Sequence, residues 1–173
     1  GDFDEAIEID PTHVRARLNR TSIHMANENA QAALDDANVL LELAPGLALA
    51  KLRKAEENMM LSNWEEAKDD LEQIVEDAPH HHHALTQLAS CFMAMDRPEK
   101  AEAPLNEALR LAPEHTEAWH QRGLLYLDWA QEESALNDFE AAVRCDGNHL
   151  GARLRIAAIH HKAERFSEAL GAW

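Results

Sequence analysis

The chain repeats itself every 34 residues. Pro11, Pro45, Pro79 and Pro113 stand one period apart, and the next step lands on Gly147, another residue that ends helices. The same step links Ala33, Ala67, Ala101, Ala135 and Ala169, and separately Ala16, Ala50, Ala84, Ala118 and Ala152. Three ladders in one register describe stacked units, each burying its apolar face against its neighbours, rather than a single globular core. Such an architecture offers partners a long surface, so function is sought first there and not in a catalytic pocket.

The unit reads as a pair of helices. Between residues 116 and 148, Trp119, Gly123 and Tyr126 fall at helical spacing, and Ala135, Phe139, Ala142 and Val143 form a second apolar stripe. A polar stretch from Ala130 to Ser134 separates them, which predicts two antiparallel helices of roughly 12 to 14 residues joined by a short turn. The small residues Ala118, Gly123, Ala135 and Ala142 let the two backbones approach closely. The proline ladder lies just past each second helix, where a residue without an N–H stops the helix at little cost. Pro104 instead falls inside a second helix, after a start at Pro98, and predicts a kink or a shortened helix.

Trp119-x2-Arg122-Gly123-x2-Tyr126, followed by Ala135-x3-Phe139 and Ala142, resembles the tetratricopeptide repeat. Leu85, Leu88, Ala89, Phe92, Ala101, Leu105, Ala108 and Pro113 occupy matching positions one period upstream. The resemblance implies an all-α, right-handed superhelical solenoid of antiparallel helix pairs along the whole chain. Whole repeats are expected at 14–47, 48–81, 82–115 and 116–149, with partial repeats at 1–13 and 150–173. It also implies a non-enzymatic protein–protein interaction scaffold whose first helices line a concave groove, where an extended peptide or a helix of a partner docks. Two other readings stand beside it: a self-assembling module stacking end to end, and a regulatory or spacer arm of a larger enzyme.

The ends are less regular. Gly1 to Ala6 resemble Ser62 to Ala67, yet Ala6 stands five residues before Pro11 where Ala67 stands twelve before Pro79. The first helix is therefore expected to be truncated or to begin in mid-helix. Leu170 and Trp173 fall on the apolar stripe of a final second helix, where a second copy of the chain could cover them.

Charge is distributed by helix. The formal net charge is −16, from 16 basic and 32 acidic residues, which argues against nucleic acid, since phosphate binding rests on basic contacts. Ten of the basic residues and only four of the acidic ones fall in the five first-helix windows, leaving six and 28 elsewhere. Arg17, Arg20, Lys51, Lys54, Arg122 and Arg153 stand where the family favours apolar residues, and are expected to pair with the acidic second helices. No run of about 18 uncharged apolar residues is long enough to span a membrane. Cys91 and Cys145 occupy unlike repeat positions where small or apolar residues pack, so no disulfide is expected; compartment stays open, with the cytoplasm favoured.

The groove-facing side of the first helices can be followed by register. One row runs Asn19, Arg53, Gln87, Gln121 and Arg155, all hydrogen-bond donors suited to an extended backbone. A second runs Met25, Met59, Met93 and Leu127, flexible apolar contacts that either serve a partner or fill the space between repeats. Arg15, Ser22, Glu56, His83, Thr86, Ser90 and His120 are further groove candidates. Some family members clamp chaperone C-terminal carboxylates through set Lys, Asn and Arg positions. No triple of repeats here reproduces that set, and of the asparagine ladder of sugar-transferase members only Asn19 remains.

Eleven histidines are the remaining unusual feature. His13, His81, His115 and His149 share the junction after the helix-ending residue, which suggests a turn role. The run His80 to His83 has no accompanying Cys pair or His-Glu-x-x-His, and consecutive side chains diverge, so no metal or other cofactor is assigned. No nucleophile–base arrangement or glycine-rich phosphate loop marks an enzyme.

Overall fold

The computed structural model describes residues 1–171, with side chains through Lys162. Among them the chain is all-α, a superhelical solenoid of antiparallel helix pairs. In order the helices are α1 (Asp2–Ile9), α2 (Val14–Ala26), α3 (Ala30–Leu43), α4 (Ala48–Met60), α5 (Trp64–Asp77), α6 (His82–Ala94), α7 (Glu102–Leu111), α8 (Thr116–Asp128), α9 (Glu132–Cys145) and α10 (Leu150–Gly171). Every break between units falls at a member of the Pro/Gly ladder. Pro98 opens a 3-10 turn, Pro98–Lys100, and α7 is cut to 10 residues. Pro104 is thereby the third residue of α7, where an N–H would have had no intrahelical acceptor.

Each helix packs on the next, and successive first helices also meet, α2 with α4 and α6 with α8. Both alanine ladders lie at these contacts: Ala33, Ala50, Ala67, Ala84, Ala101, Ala118, Ala135 and Ala152 are fully buried, and Ala16 nearly so. Beside them runs a volume exchange that the sequence pattern alone does not isolate. The first and second helices offer Thr21 with Ala37, Ala55 with Leu71, Ala89 with Leu105 and Gly123 with Phe139, all buried. As one partner grows, the other shrinks. At the extreme, a Cβ on Gly123 would stand 2.6 Å from the Phe139 ring, so only glycine admits the phenyl group.

The turn inside each whole repeat is equally periodic. Glu28, Ser62, Asp96 and Ala130 take positive φ of 57° to 62°, again 34 apart and without a glycine among them. The residue after each closes a Schellman motif, its N–H donating to the carbonyl five residues back: Asn29 to His24, Asn63 to Asn58, Arg97 to Phe92 and Gln131 to Tyr126, at 2.8 to 2.9 Å. At the other end of each pair the junction histidines cap helices. Nδ1 of His13, His81 and His149 accepts the N–H of Ala16, Ala84 and Ala152. His115 makes no such bond; its Nε2 is buried without a partner, and its ring meets those of His82 and His83.

The basic first helices and acidic second helices are joined as expected, with one exception. Asp36, buried in α3, accepts two bonds from Arg20 at 2.6 and 2.7 Å and one from Arg17 at 3.1 Å. Lys54 reaches Asp70 at 2.9 Å, Lys51 reaches Asp77 at 2.8 Å, and Arg122 forks onto buried Asp138 at 2.7 and 2.8 Å. In the third repeat the register of Arg20 and Asp36 holds Leu88 and Pro104, so an apolar pair replaces the ionic one. Arg153 is the exception: it is exposed and donates to the Gly147 carbonyl instead.

Two further expectations are corrected. Cys145 is exposed and donates weakly to the Pro113 carbonyl, whereas Cys91 is buried. The repeat pattern predicts a separate last helix around Ala169, but α10 runs unbroken from Leu150 to Gly171. Where the other repeats turn through a left-handed residue, this one has Ala163-Glu164-Arg165, three strong helix formers that continue the helix. Leu170 and Trp173 lie outside the described side chains.

Glu57 departs from the repeat in the opposite sense. Its register holds Cys91 and Leu125 in the next two repeats, all three fully buried, and neither of its carboxylate oxygens has a hydrogen-bond partner. Burial, then the neighbouring Glu56 charge, pushes its pKa up to about 7. A folded-state pKa above the unfolded value means the folded chain holds the extra proton, so stability falls as pH rises from about 4.5 to about 7.

Two stability measurements follow by urea denaturation. Glu57→Leu stabilises the chain by about 1 to 3 kcal/mol at pH 8, the cost of the unsatisfied buried carboxylate, and by less at pH 4; an equal effect at both pH values would contradict the assignment. Gly123→Ala destabilises by about 1 to 3 kcal/mol through overpacking against Phe139, and Gly123→Ala with Phe139→Leu recovers most of it by recreating the Ala/Leu pair of the second and third repeats.

Candidate functional site

One register position of the first helices carries a polar side chain in every repeat: Asn19, Arg53, Gln87, Gln121 and Arg155. Asn19 on α2 and Arg155 on α10, the first and last of these, are exposed, with Arg15 also exposed. Arg53, Gln87 and Gln121 between them are half-buried, and their donors are engaged by two carboxylates of the same face.

Glu56 on α4 gathers the first group. Its Oε2 accepts from Arg53 Nη1 at 2.7 Å and its Oε1 from Gln87 Nε2 of α6 at 3.1 Å, so one carboxylate ties two repeats together. His83 Nε2 lies 3.2 Å from Gln87 Nε2 and 3.5 Å from Glu56 Oε1. Burial opposes ionisation of Glu56, but the bonds from His83, Arg53 and Gln87 outweigh it and hold its pKa below the usual value. Gln87 Oε1 is buried with no hydrogen-bond partner among the described residues.

Glu117 on α8 gathers the second. Its Oε1 accepts from Gln121 Nε2 at 2.6 Å, and its two oxygens lie 3.8 Å from His120 Nδ1 and 3.6 Å from His149 Nε2. The His120 contact, followed by those of Gln121 and His149, lowers its pKa to about 2 despite partial burial. Among the described residues these three form the one group of His, Cys, Asp or Glu side chains whose ligand atoms all lie within 4.8 Å of one another. The sequence contains no local motif for it, since His149 is 32 residues from Glu117 and enters from the next junction.

The methionine row sits lower. Met25 is half-buried, and Met59 and Met93 are partly buried against the main core cluster, where they fill space between repeats. Leu127 does the same against the cluster around Phe139. Of the remaining candidates Ser22 and Ser90 bond back to carbonyls of their own helices, and Thr86 is buried doing likewise. A surface hollow of about 510 Å³ lies away from this row, between Ser62, Trp64, Glu66, Met95 and Arg97 at the turns.

Comparison with known proteins sets this arrangement in a family. The chain resembles a thermophilic tetratricopeptide repeat protein of Thermus thermophilus at TM-score 0.79 and 20% identity, over 91% of this chain and 87% of that one. It resembles MamA 41-end from Desulfovibrio magneticus RS-1 at TM-score 0.74 and 18% identity, over 86% and 84%. YrrB, a tetratricopeptide repeat protein with an unusual peptide-binding site, aligns at TM-score 0.68 and 22% identity, over 95% and 84%. No curated protein matches the sequence. Two tetratricopeptide repeat family models match residues 59–123 and 116–149. Those spans run together through more than half of the chain, the second of them spanning the α8–α9 pair, and the protein belongs to the tetratricopeptide repeat family.

Proposed function

We propose that the chain is a non-catalytic scaffold that binds an extended or helical segment of another protein along the face shared by its first helices. The observation that supports this reading is the polar register from Asn19 to Arg155, half-buried at Arg53, Gln87 and Gln121 and exposed at both ends, with Glu56 joining Arg53 to Gln87 across two repeats. The peptide-binding site named for YrrB, a neighbour in fold, agrees with it.

The chemistry of the face suggests what the segment is like. Arg15 and Arg155 are exposed at the ends and Arg53 keeps part of its guanidinium accessible, while Glu56 and Glu117 are already bonded within the chain. Guanidinium donors that remain available suit backbone carbonyls and an occasional carboxylate, so the segment is neutral to mildly acidic. Gln87 Oε1 accepts one backbone N–H at the centre, and Met25, Met59 and Met93 take up its apolar side chains.

Peptides selected from a random library on the immobilised chain test this directly. Arg53→Ala with Gln87→Ala reduces the affinity of a selected peptide by about 1 to 3 kcal/mol, the range for a charged and a neutral hydrogen bond lost together, with helical content unchanged. Added salt weakens binding modestly, because screening acts on the exposed charges. Peptides that bind the double variant as tightly as the unaltered chain would remove the row from the site.

A further inference from the structure

Three positions near the last step of the row break the repeat together. His120 stands where the other repeats have Leu18, Leu52, Thr86 and Leu154. Glu117 stands one period after His83, and Gly151 occupies that register in the next helix, where an earlier repeat has Leu49. His149 belongs to the capping ladder and turns its other nitrogen inward. Their joint effect is local: a Cβ on Gly151 would lie 3.0 Å from His120 Nε2 and 3.3 Å from His149 Cε1, so the absent side chain leaves room for the two imidazoles, 4.7 Å apart.

We propose that Glu117, His120 and His149 bind one divalent transition-metal ion of the zinc class, with a fourth position open to water or to a donor from a partner. Two imidazoles and a carboxylate are a donor set for zinc and its neighbours rather than for calcium or magnesium. Ligand atoms on a tetrahedral zinc stand about 3.4 Å apart, given bonds of roughly 2.0 to 2.1 Å. The Glu117 oxygens already lie 3.8 Å from His120 Nδ1 and 3.6 Å from His149 Nε2. His120 Nδ1 is buried with no hydrogen-bond partner, so a ring nitrogen withdrawn from water stands beside the carboxylate without another use. Gln121, donating to Glu117 Oε1 at 2.6 Å, fixes the carboxylate as outer partners of metal ligands do.

Proton placement supplies a signature that surface binding would not. While His149 Nδ1 accepts the Ala152 N–H at 3.1 Å, the proton of its neutral ring sits on Nε2. An ion on Nε2 moves that proton to Nδ1, which becomes a donor, and the cap of α10 opens. Metal loading is therefore tied to the first turn of α10. The exposed histidines near His80 form no comparable group among the described residues.

Calorimetric titration with zinc alone, paired with amide NMR, tests the proposal. The whole chain binds one equivalent, and binding persists when His80, His82 and His83 are replaced together by Ala with the capping His81 kept. His120→Ala and Glu117→Gln each weaken it at least tenfold, and Gln121→Ala weakens it roughly 10- to 100-fold, the usual effect of removing an outer partner. The Ala152 amide resonance moves on loading. Should circular dichroism show that His120→Ala does not fold, Glu117→Gln decides, because that side chain is 45% exposed and its loss leaves the core intact. Zinc affinity that disappears with His80, His82 and His83, or that survives Glu117→Gln unchanged, overturns the site and reduces the histidines to adventitious binding.

Discussion

Everything in this fold depends on how closely successive helices approach, and methyl groups set that distance. The seam alanines from Ala33 to Ala152 are buried without a gap in register, and a side chain one size larger at any of them would wedge two helices apart. A seam this thin buries little apolar surface per contact, so the rest of the repeat compensates. Larger residues are placed beside it in matched volumes, from Thr21 against Ala37 to Gly123 against Phe139. Longer basic side chains of the first helix then reach over the seam to Asp36, Asp70 and Asp138 on the second. Because these pairs are partly buried, and those at Asp36 and Asp138 are forked guanidinium contacts, they orient the two helices more firmly than surface pairs would.

Much of this was legible because a period fixes many positions at once. The Pro and Gly ladder marked every break between units, and the charge asymmetry anticipated which helices would pair. The failures came where a residue obeys its neighbourhood rather than its register. Ala163-Glu164-Arg165 stands in the turn position yet prefers helix, and α10 continues through it. Glu28, Ser62, Asp96 and Ala130 bear left-handed backbone without the glycine that would have announced it, since the Schellman hydrogen bonds at each turn impose the conformation from outside. Glu57 looked like one more charge on a helix rich in them, and only packing reveals that it lies at a core position.

The inner face was harder to read for a related reason. Sequence register placed Arg53, Gln87 and Gln121 on one row and Glu56 on the same face, but not the bond by which Glu56 reaches Gln87 in the next repeat, nor the part of Glu117, which meets Gln121 one helical turn away. The same holds for the junction histidines. A shared turn position was visible, whereas which rings cap a helix, as His13, His81 and His149 do and His115 does not, is a matter of three-dimensional placement. Periodicity thus reports the scaffold well and its chemistry poorly: the scaffold repeats, and the chemistry lies in the departures.

The exchange of Arg20 and Asp36 for Leu88 and Pro104 in the third repeat gives the array an uneven mechanical character. A solenoid behaves as a line of units coupled only to their neighbours, and its weakest link under given conditions decides where it opens. Concentrated salt screens the ionic clasps in the first, second and fourth repeats and leaves the third, where Leu88 and Pro104 occupy that register, unaffected. Cold acts in the reverse direction, since hydrophobic contact weakens on cooling. The unit that opens first is thus selected by the solvent, an ionically clasped repeat at high salt and the third repeat in the cold, an order that amide exchange can read unit by unit.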